Sequence, residues 1–245
     1  MPFTLSHPAA VLLFGRTGLP IAAMVAGSMA PDVPMFVPVP GAYGVTHSLL
    51  GVATVDVVFG TLGVVVWFSL VRDALVDVAP ALVRERLAET ARYSREQWFL
   101  VPLAVAMGAL THLVWDMFTH PDRWGAEHVP WLGETHVGLL GSAWAQYLSG
   151  ALGFVVTAAW TVASLRARTR RTRASRVPEL GVTSLAFVLL ATAAIAGASA
   201  FTRAADGLHA VAFRGAVLGT IVLVIGVLAL AAVWKVRARR VWLGV

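Results

Sequence analysis

The chain contains no cysteine among its 245 residues, so disulfide scaffolding, thiolate metal sites and cysteine nucleophiles are all excluded. Charge is scarce as well: 13% of residues are Asp, Glu, Lys or Arg, against about 25% in soluble globular domains. With 58% hydrophobic residues, that scarcity excludes a water-soluble globule. Lysine is nearly absent, Lys235 being the single one, so the formal net charge of +6 comes from arginine. The arginines stand in short runs between apolar stretches, a pattern that orients a membrane protein rather than one that binds nucleic acid. The expected partner is the lipid bilayer, with no nucleic acid, and protein partners stay undefined. Any metal site must be built from His, Asp or Glu.

Long apolar runs take the place of charge. Five stretches, Ser48 to Val71, Trp98 to Phe118, Ala143 to Leu165, Leu180 to Phe201 and Gly215 to Trp234, are each long enough to cross roughly 30 Å of hydrocarbon as helices. The expected fold is an all-α, polytopic transmembrane helix bundle with five clear spans plus an N-terminal membrane segment. That segment, Pro8 to Met29, is interrupted by Gly15, Arg16, Gly18 and Pro20. It is either a sixth spanning helix or a re-entrant pair whose ends lie on one side. Arginine at mid-depth and the backbone gap at proline favour the re-entrant form. The same interruptions break the order of a cleaved signal peptide, so the mature chain is expected to begin near Met1. Pro31, Pro34, Pro38 and Pro40 predict an extended, non-helical connection before Thr46. Residues 1–245 are expected to form one integral membrane domain, with the candidate chemistry in 1–142 and a helical scaffold in 143–245.

Arginine also predicts orientation. Arg72, Arg84, Arg86, Arg92 and Arg95 fall in one linker, and Arg166, Arg168, Arg170, Arg171, Arg173 and Arg176 in another, so both read as cytoplasmic. Lys235, Arg237, Arg239 and Arg240 place the C-terminus on the same side. Residues 31–47 and 119–142 then share the opposite face of the cell membrane. The linker after Val71 carries Leu75, Val78, Leu82 and Leu87 at roughly helical spacing, which predicts a structural segment lying along the cytoplasmic interface.

Within the five stretches the ionisable side chains apart from Tyr147 are Asp56, His112 and Asp116. Each is costly in hydrocarbon and is expected to face the interior of the bundle with a partner. His112 and Asp116 stand four residues apart in THLVWDMFTH, on one helix face, and His120 continues the stripe. Asp32 in GSMAPD and His47 in GVTHSLLG lie near the same outward end. Asp56, about 13 Å deeper than His47 along a helix, is placed at the floor of one cavity. Neutral imidazoles with carboxylates suit a divalent ion such as zinc or manganese when thiolates are absent. The plainer alternative has His112 and Asp116 hydrogen-bonded to neighbouring helices as packing glue, and Asp56 as a buried polar contact or part of a proton relay. His128 and His136, beside Trp124 and Trp131, read as solvated members of an interfacial aromatic belt. Asp206 and His209 fall outside the candidate site. Gly51, Gly60, Gly63, Gly150 and Gly153 are expected to let helices pack closely.

The succession MPFTLSHPAAVL, AGSMAPDVP, THSLLGVATVD and THLVWDMFTH resembles, in order and spacing, an uncharacterised family of small bacterial integral membrane proteins. That family is distantly similar to membrane-bound metal-dependent hydrolases, and the resemblance covers about the first 120 residues. It implies His7, Asp32, His47, His112 and Asp116 as metal ligands, with Asp32 or Asp116 as a catalytic carboxylate. The hydrolase group often carries a His-Arg shortly before Thr-His-Ser, and here that place reads GAYGV. Three functions are therefore expected to compete. The first is a metal-dependent hydrolase of a lipid-linked or amphipathic ester or phosphoester at the outer leaflet. The second is a proton-coupled transporter using Asp56, His112 and Asp116, and the third a non-catalytic membrane assembly protein.

Overall fold

Proline, glycine and side-chain caps set the ends of the helices. The computed structural model describes residues 4–243, with five helices long and apolar enough to cross a membrane. After the short helices Thr4–Ser6, Pro8–Val11 and Leu12–Phe14, the chain turns through Gly18, whose φ is +80°, and α1 (Ile21–Met29) begins directly after Pro20. The spanning helices follow as α2 (Val55–Val78), α3 (Arg95–Thr119), α4 (Gly141–Arg166), α5 (Val182–Phe201) and α6 (Leu208–Leu243). A two-stranded hairpin, Thr135–His136 against Leu139–Leu140, closes the loop before α4.

Several boundaries differ from the sequence expectation. Pro31 and Pro34 do not enforce an extended connection: they sit in the first turns of the short helices Ala30–Asp32 and Val33–Phe36, where a missing N–H costs nothing. The stretch from Ser48 is divided, because Ser48 caps a separate helix, Leu49–Ala53, and Thr54 leaves helical geometry before α2 starts. At its other end α2 does not stop at Val71. It passes through a π-helical turn, Trp67–Val71, and runs on to Val78, where Ala79 and Pro80 end it. Residues 72–78 thus prolong the spanning helix instead of forming a separate surface segment. Arg72 can enter because its guanidinium is paired, 2.9 Å from Asp73 and 2.9 Å from the Glu89 carbonyl.

The chain divides into two compact units that interleave in sequence. One comprises residues 4–64 and 93–161. Its centre is the crossing of α1 and α3, where backbones meet with no side chain between them. A Cβ added at Gly27 would lie 2.1 Å from the Val105 carbonyl oxygen, and one at Gly108 would lie 2.0 Å from that of Met24. Gly60 of α2 meets the Val105 side chain, and Gly153 of α4 meets Ser6 and Trp115, whereas Gly63 has only an ordinary contact with Ala26 and is not needed for close packing. The N-terminus of α3 is fixed by a reciprocal cap: the Ser94 hydroxyl accepts from Gln97 N–H at 3.2 Å and the Gln97 side chain accepts from Ser94 N–H at 3.0 Å.

The other unit comprises residues 65–92 and 162–243. Val71, Ala74, Val78, Val177, Leu230, Ala231 and Trp234 form its apolar core. At the edge of that core, the Asp77 carboxylate accepts from the Ser175 hydroxyl, the Trp234 indole and the N–H groups of Arg176 and Val177. Four donors on one carboxylate tie the turn 175–177 and α6 to α2, and they satisfy a charge that would otherwise be costly to bury. α5 buries none of its residues among the described ones, as a helix facing lipid on most sides would.

Candidate metal centre

The first-mentioned unit brings together residues that are far apart in sequence. α3 carries His112 and Asp116 one turn apart on its buried face, and its C-terminal residue is followed by His120. Asp32 arrives from the short helix after α1, His47 from the junction between Ala42–Thr46 and Ser48, and His7 from the N-terminal helices. His7, Asp32, His47, His112 and Asp116 are all buried. Because His7 and Asp32 meet in one cluster, residues 8–29 form a doubled-back helix pair and not a single rod between opposite ends.

Four atoms define the centre. His47 Nε2 lies 3.7 Å from Asp32 Oδ1 and 3.6 Å from Asp116 Oδ2. His112 Nε2 lies 3.6 Å from the same Asp32 oxygen and 3.4 Å from the same Asp116 oxygen. On the far side of each ring, Nδ1 faces a backbone carbonyl, Tyr43 O at 3.0 Å for His47 and Ser28 O at 2.9 Å for His112. A carbonyl only accepts, so each Nδ1 holds the proton and each Nε2 presents a lone pair. Neither Nε2 has a hydrogen-bond partner. Lone pairs of two imidazoles and two carboxylates therefore converge with no donor among them. Doubly protonated imidazoles would instead make ion pairs, but charge-assisted N–H···O contacts run at about 2.7–2.9 Å, well short of these separations. These four separations come close to the edges of about 3.3–3.6 Å between neighbouring ligands held about 2.0–2.2 Å from one ion. The groups His47, His112, Asp116 and His7, Asp32, His112 could each hold a metal ion.

The remaining oxygens differ in their surroundings. Asp32 Oδ2 accepts from the Thr4 hydroxyl at 2.5 Å, which orients the carboxylate. Asp116 Oδ1 lies 3.5 Å from His120 Nδ1 and 4.0 Å from His7 Nε2. His120 is the more open of the two, with Gln146 within 3.2 Å of its Nε2. His7 stacks on His112 with ring centres 3.9 Å apart and flanks the four-atom centre. Burial, then the neighbouring His112, hold the His7 imidazole down to about 3.

Asp56 is fully buried on α2 in the same unit, and neither of its oxygens has a hydrogen-bond partner. His128 and His136 stand apart from the centre: each stacks on a tryptophan, Trp124 and Trp131 respectively. Asp206 pairs with Arg203. Sequence reasoning did not find Thr4, the Ser28 and Tyr43 carbonyls, or Thr46, whose hydroxyl donates to Pro31 O at 2.8 Å and holds the His47 segment against the Asp32 turn. Thr4 and Thr46 were visible inside the quoted motifs. The carbonyl anchors carry no side-chain signal at all.

Fold and site together define a polytopic α-helical membrane protein with a buried His/Asp cluster. A family model described as a domain of unknown function, DUF4184, matches residues 1–233, so the chain belongs to that family. Searches of curated proteins and of solved structures find no match.

Proposed function

We propose that this chain is a metal-dependent hydrolase of the bacterial cell membrane, acting on a lipid-linked or amphipathic ester or phosphoester at the outer face. The observation that carries the metal is the convergence of two carboxylate oxygens and two unpartnered imidazole nitrogens at 3.4–3.7 Å, all buried. Zinc fits the two-nitrogen, two-oxygen donor set, and manganese is the alternative. A divalent ion held there supplies Lewis acidity to the scissile ester or phosphoryl group.

The chain's own residues supply the rest. Asp32, locked by Thr4, serves as ligand. Asp116 has its second oxygen turned toward His120, so a proton taken by that carboxylate has a short route to the more open imidazole. A lone centre in a membrane-embedded unit selects substrates whose apolar part stays in the bilayer while the labile group reaches the centre. After chelator treatment and readdition of zinc or manganese, the purified protein is expected to hydrolyse a chromogenic long-chain ester or phosphodiester in mixed micelles. Asp116→Asn should lower that rate by about a hundredfold or more. Metal-independent turnover, or none with either ion, overturns the assignment.

The outer location has its own test. Leu5, two residues before His7, is 54% exposed, and Val137 in the hairpin is 94% exposed. Single cysteines at these positions in the otherwise cysteine-free chain are both expected to react with a membrane-impermeant thiol reagent on intact cells. A cysteine at Arg237 should react only after lysis. Protection of Leu5→Cys alongside labelled Val137→Cys would contradict the shared face, and protection of both would reverse the orientation.

A further inference from the structure

The unit formed by residues 65–92 and 162–243 contains a cavity of about 730 Å³ that the hydrolase reading does not use. It lies where the π-helical turn of α2 faces the C-terminal turns of α6, at the ends of two apolar spans. Four cations line it, Arg92, Arg176, Lys235 and Arg239, against one carboxylate, Asp73. We propose that this cavity binds a phosphate monoester or diester anion of the kind a phospholipid headgroup presents.

The ion pairs show why the positive charge is available. Asp73 is already engaged by Arg72 at 2.9 Å and by Arg92 at 2.8 Å, so it is shared between two guanidinium groups. Arg176 pairs with Glu89, which also lies within 4.0 Å of Arg173. Among the described residues the Lys235 ammonium donates to a carbonyl, Ser69 O at 2.9 Å, and that contact positions it without neutralising it. Arg239 is exposed and makes no ion pair among the described residues. Lys235 and Arg239, four residues apart on one face of α6, thus line the cavity without an ion-pair partner among the described residues.

The walls match the rest of such a ligand. Trp234 spends its indole N–H on Asp77, so it offers the cavity an apolar ring, and Phe68 adds a second aromatic. Aromatic rings beside cations at the end of membrane spans mark the depth at which headgroups lie, and basic pockets between spanning helices take anionic headgroups. Arginines serving orientation alone need no cavity and no fixed ammonium.

The test uses the full-length protein in detergent and native mass spectrometry. Phosphatidylglycerol is expected to remain bound in preference to phosphatidylcholine. In Lys235→Gln/Arg239→Gln that preference should fall by about tenfold or more, given what two interfacial cations contribute to anionic-lipid affinity. Arg203→Gln/Arg214→Gln, away from the cavity, should leave it unchanged. Arg239→Gln alone removes an exposed side chain with no ion pair, so a partial loss there keeps the result readable if the double variant misfolds. Inorganic phosphate is the second probe. A thermal shift with phosphate that the double variant lacks, without lipid selectivity, would support the same anion site with a soluble source. Equal retention of both lipids together with no phosphate shift, or a lipid preference untouched by both Lys235/Arg239 variants, overturns the proposal.

Discussion

Protein loaded with zinc should lose nearly all of the bound ion when His112 is replaced by alanine, from about one ion per chain to under a tenth. His112 Nε2 contributes two of the four short edges of the centre and belongs to both possible ligand groups. Its removal leaves Asp32 and Asp116 facing a single imidazole, with two carboxylates no longer neutralised in a buried site. Asp116→Ala and His112→Ala/Asp116→Ala are expected to show the same loss as His112→Ala, because a site disabled by one change has nothing further to give up. Elemental analysis of the four proteins decides it. Small additive losses would return His112 and Asp116 to the role of interhelical packing groups.

The second large effect is expected from a methyl group. Gly108→Ala places a Cβ 2.0 Å from the Met24 carbonyl oxygen and 2.8 Å from Ser28 N, separations that no rotamer can relieve. α1 must move away from α3, at a cost of about 1–3 kcal/mol or more for overpacking a backbone contact. The Ser28 carbonyl, which holds His112 Nδ1, moves with α1. The variant should therefore lose thermal stability and metal together. Gly197→Ala, in α5 with open space around the new methyl, is expected to be neutral or slightly stabilising in the same melting experiment. Equal melting of the two variants would contradict the packing described for α1 and α3.

What the sequence made legible was whatever obeys short-range rules. Spans of apolar residues exceed the bilayer thickness regardless of their neighbours, so α3, α4 and α5 lie close to where hydropathy puts them. The i, i+4 pair His112 and Asp116 follows from helix geometry alone. The ends of α2 were less visible. Apolar content begins at Ser48, but Thr54 breaks the helix, and Arg72 lies within it only because Asp73 and the Glu89 carbonyl are there to pair with it. Pro31 and Pro34 begin short helices instead of an extended connection, since a first-turn proline starts a helix as readily as it ends one. Gathering His7, Asp32 and His47 around α3 was legible from resemblance, while the distances among them depend on Gly27 and Gly108, which no local pattern singles out.

The oxygens that fix both imidazoles belong to the main chain of Ser28 and Tyr43. No exchange of the Ser28 or Tyr43 side chain deletes them, so their contribution is hidden from substitutions at those two positions. Replacing Ser28 or Tyr43 alters bulk or stacking but leaves the acceptor where it was. Substitutions at Ser28 and Tyr43 would consequently understate the part these residues play, although their carbonyls orient both donors. Only a change in the path of the backbone can reach that orientation. The orientation of both imidazoles is thus inherited from the backbone path of the segments that carry Ser28 and Tyr43.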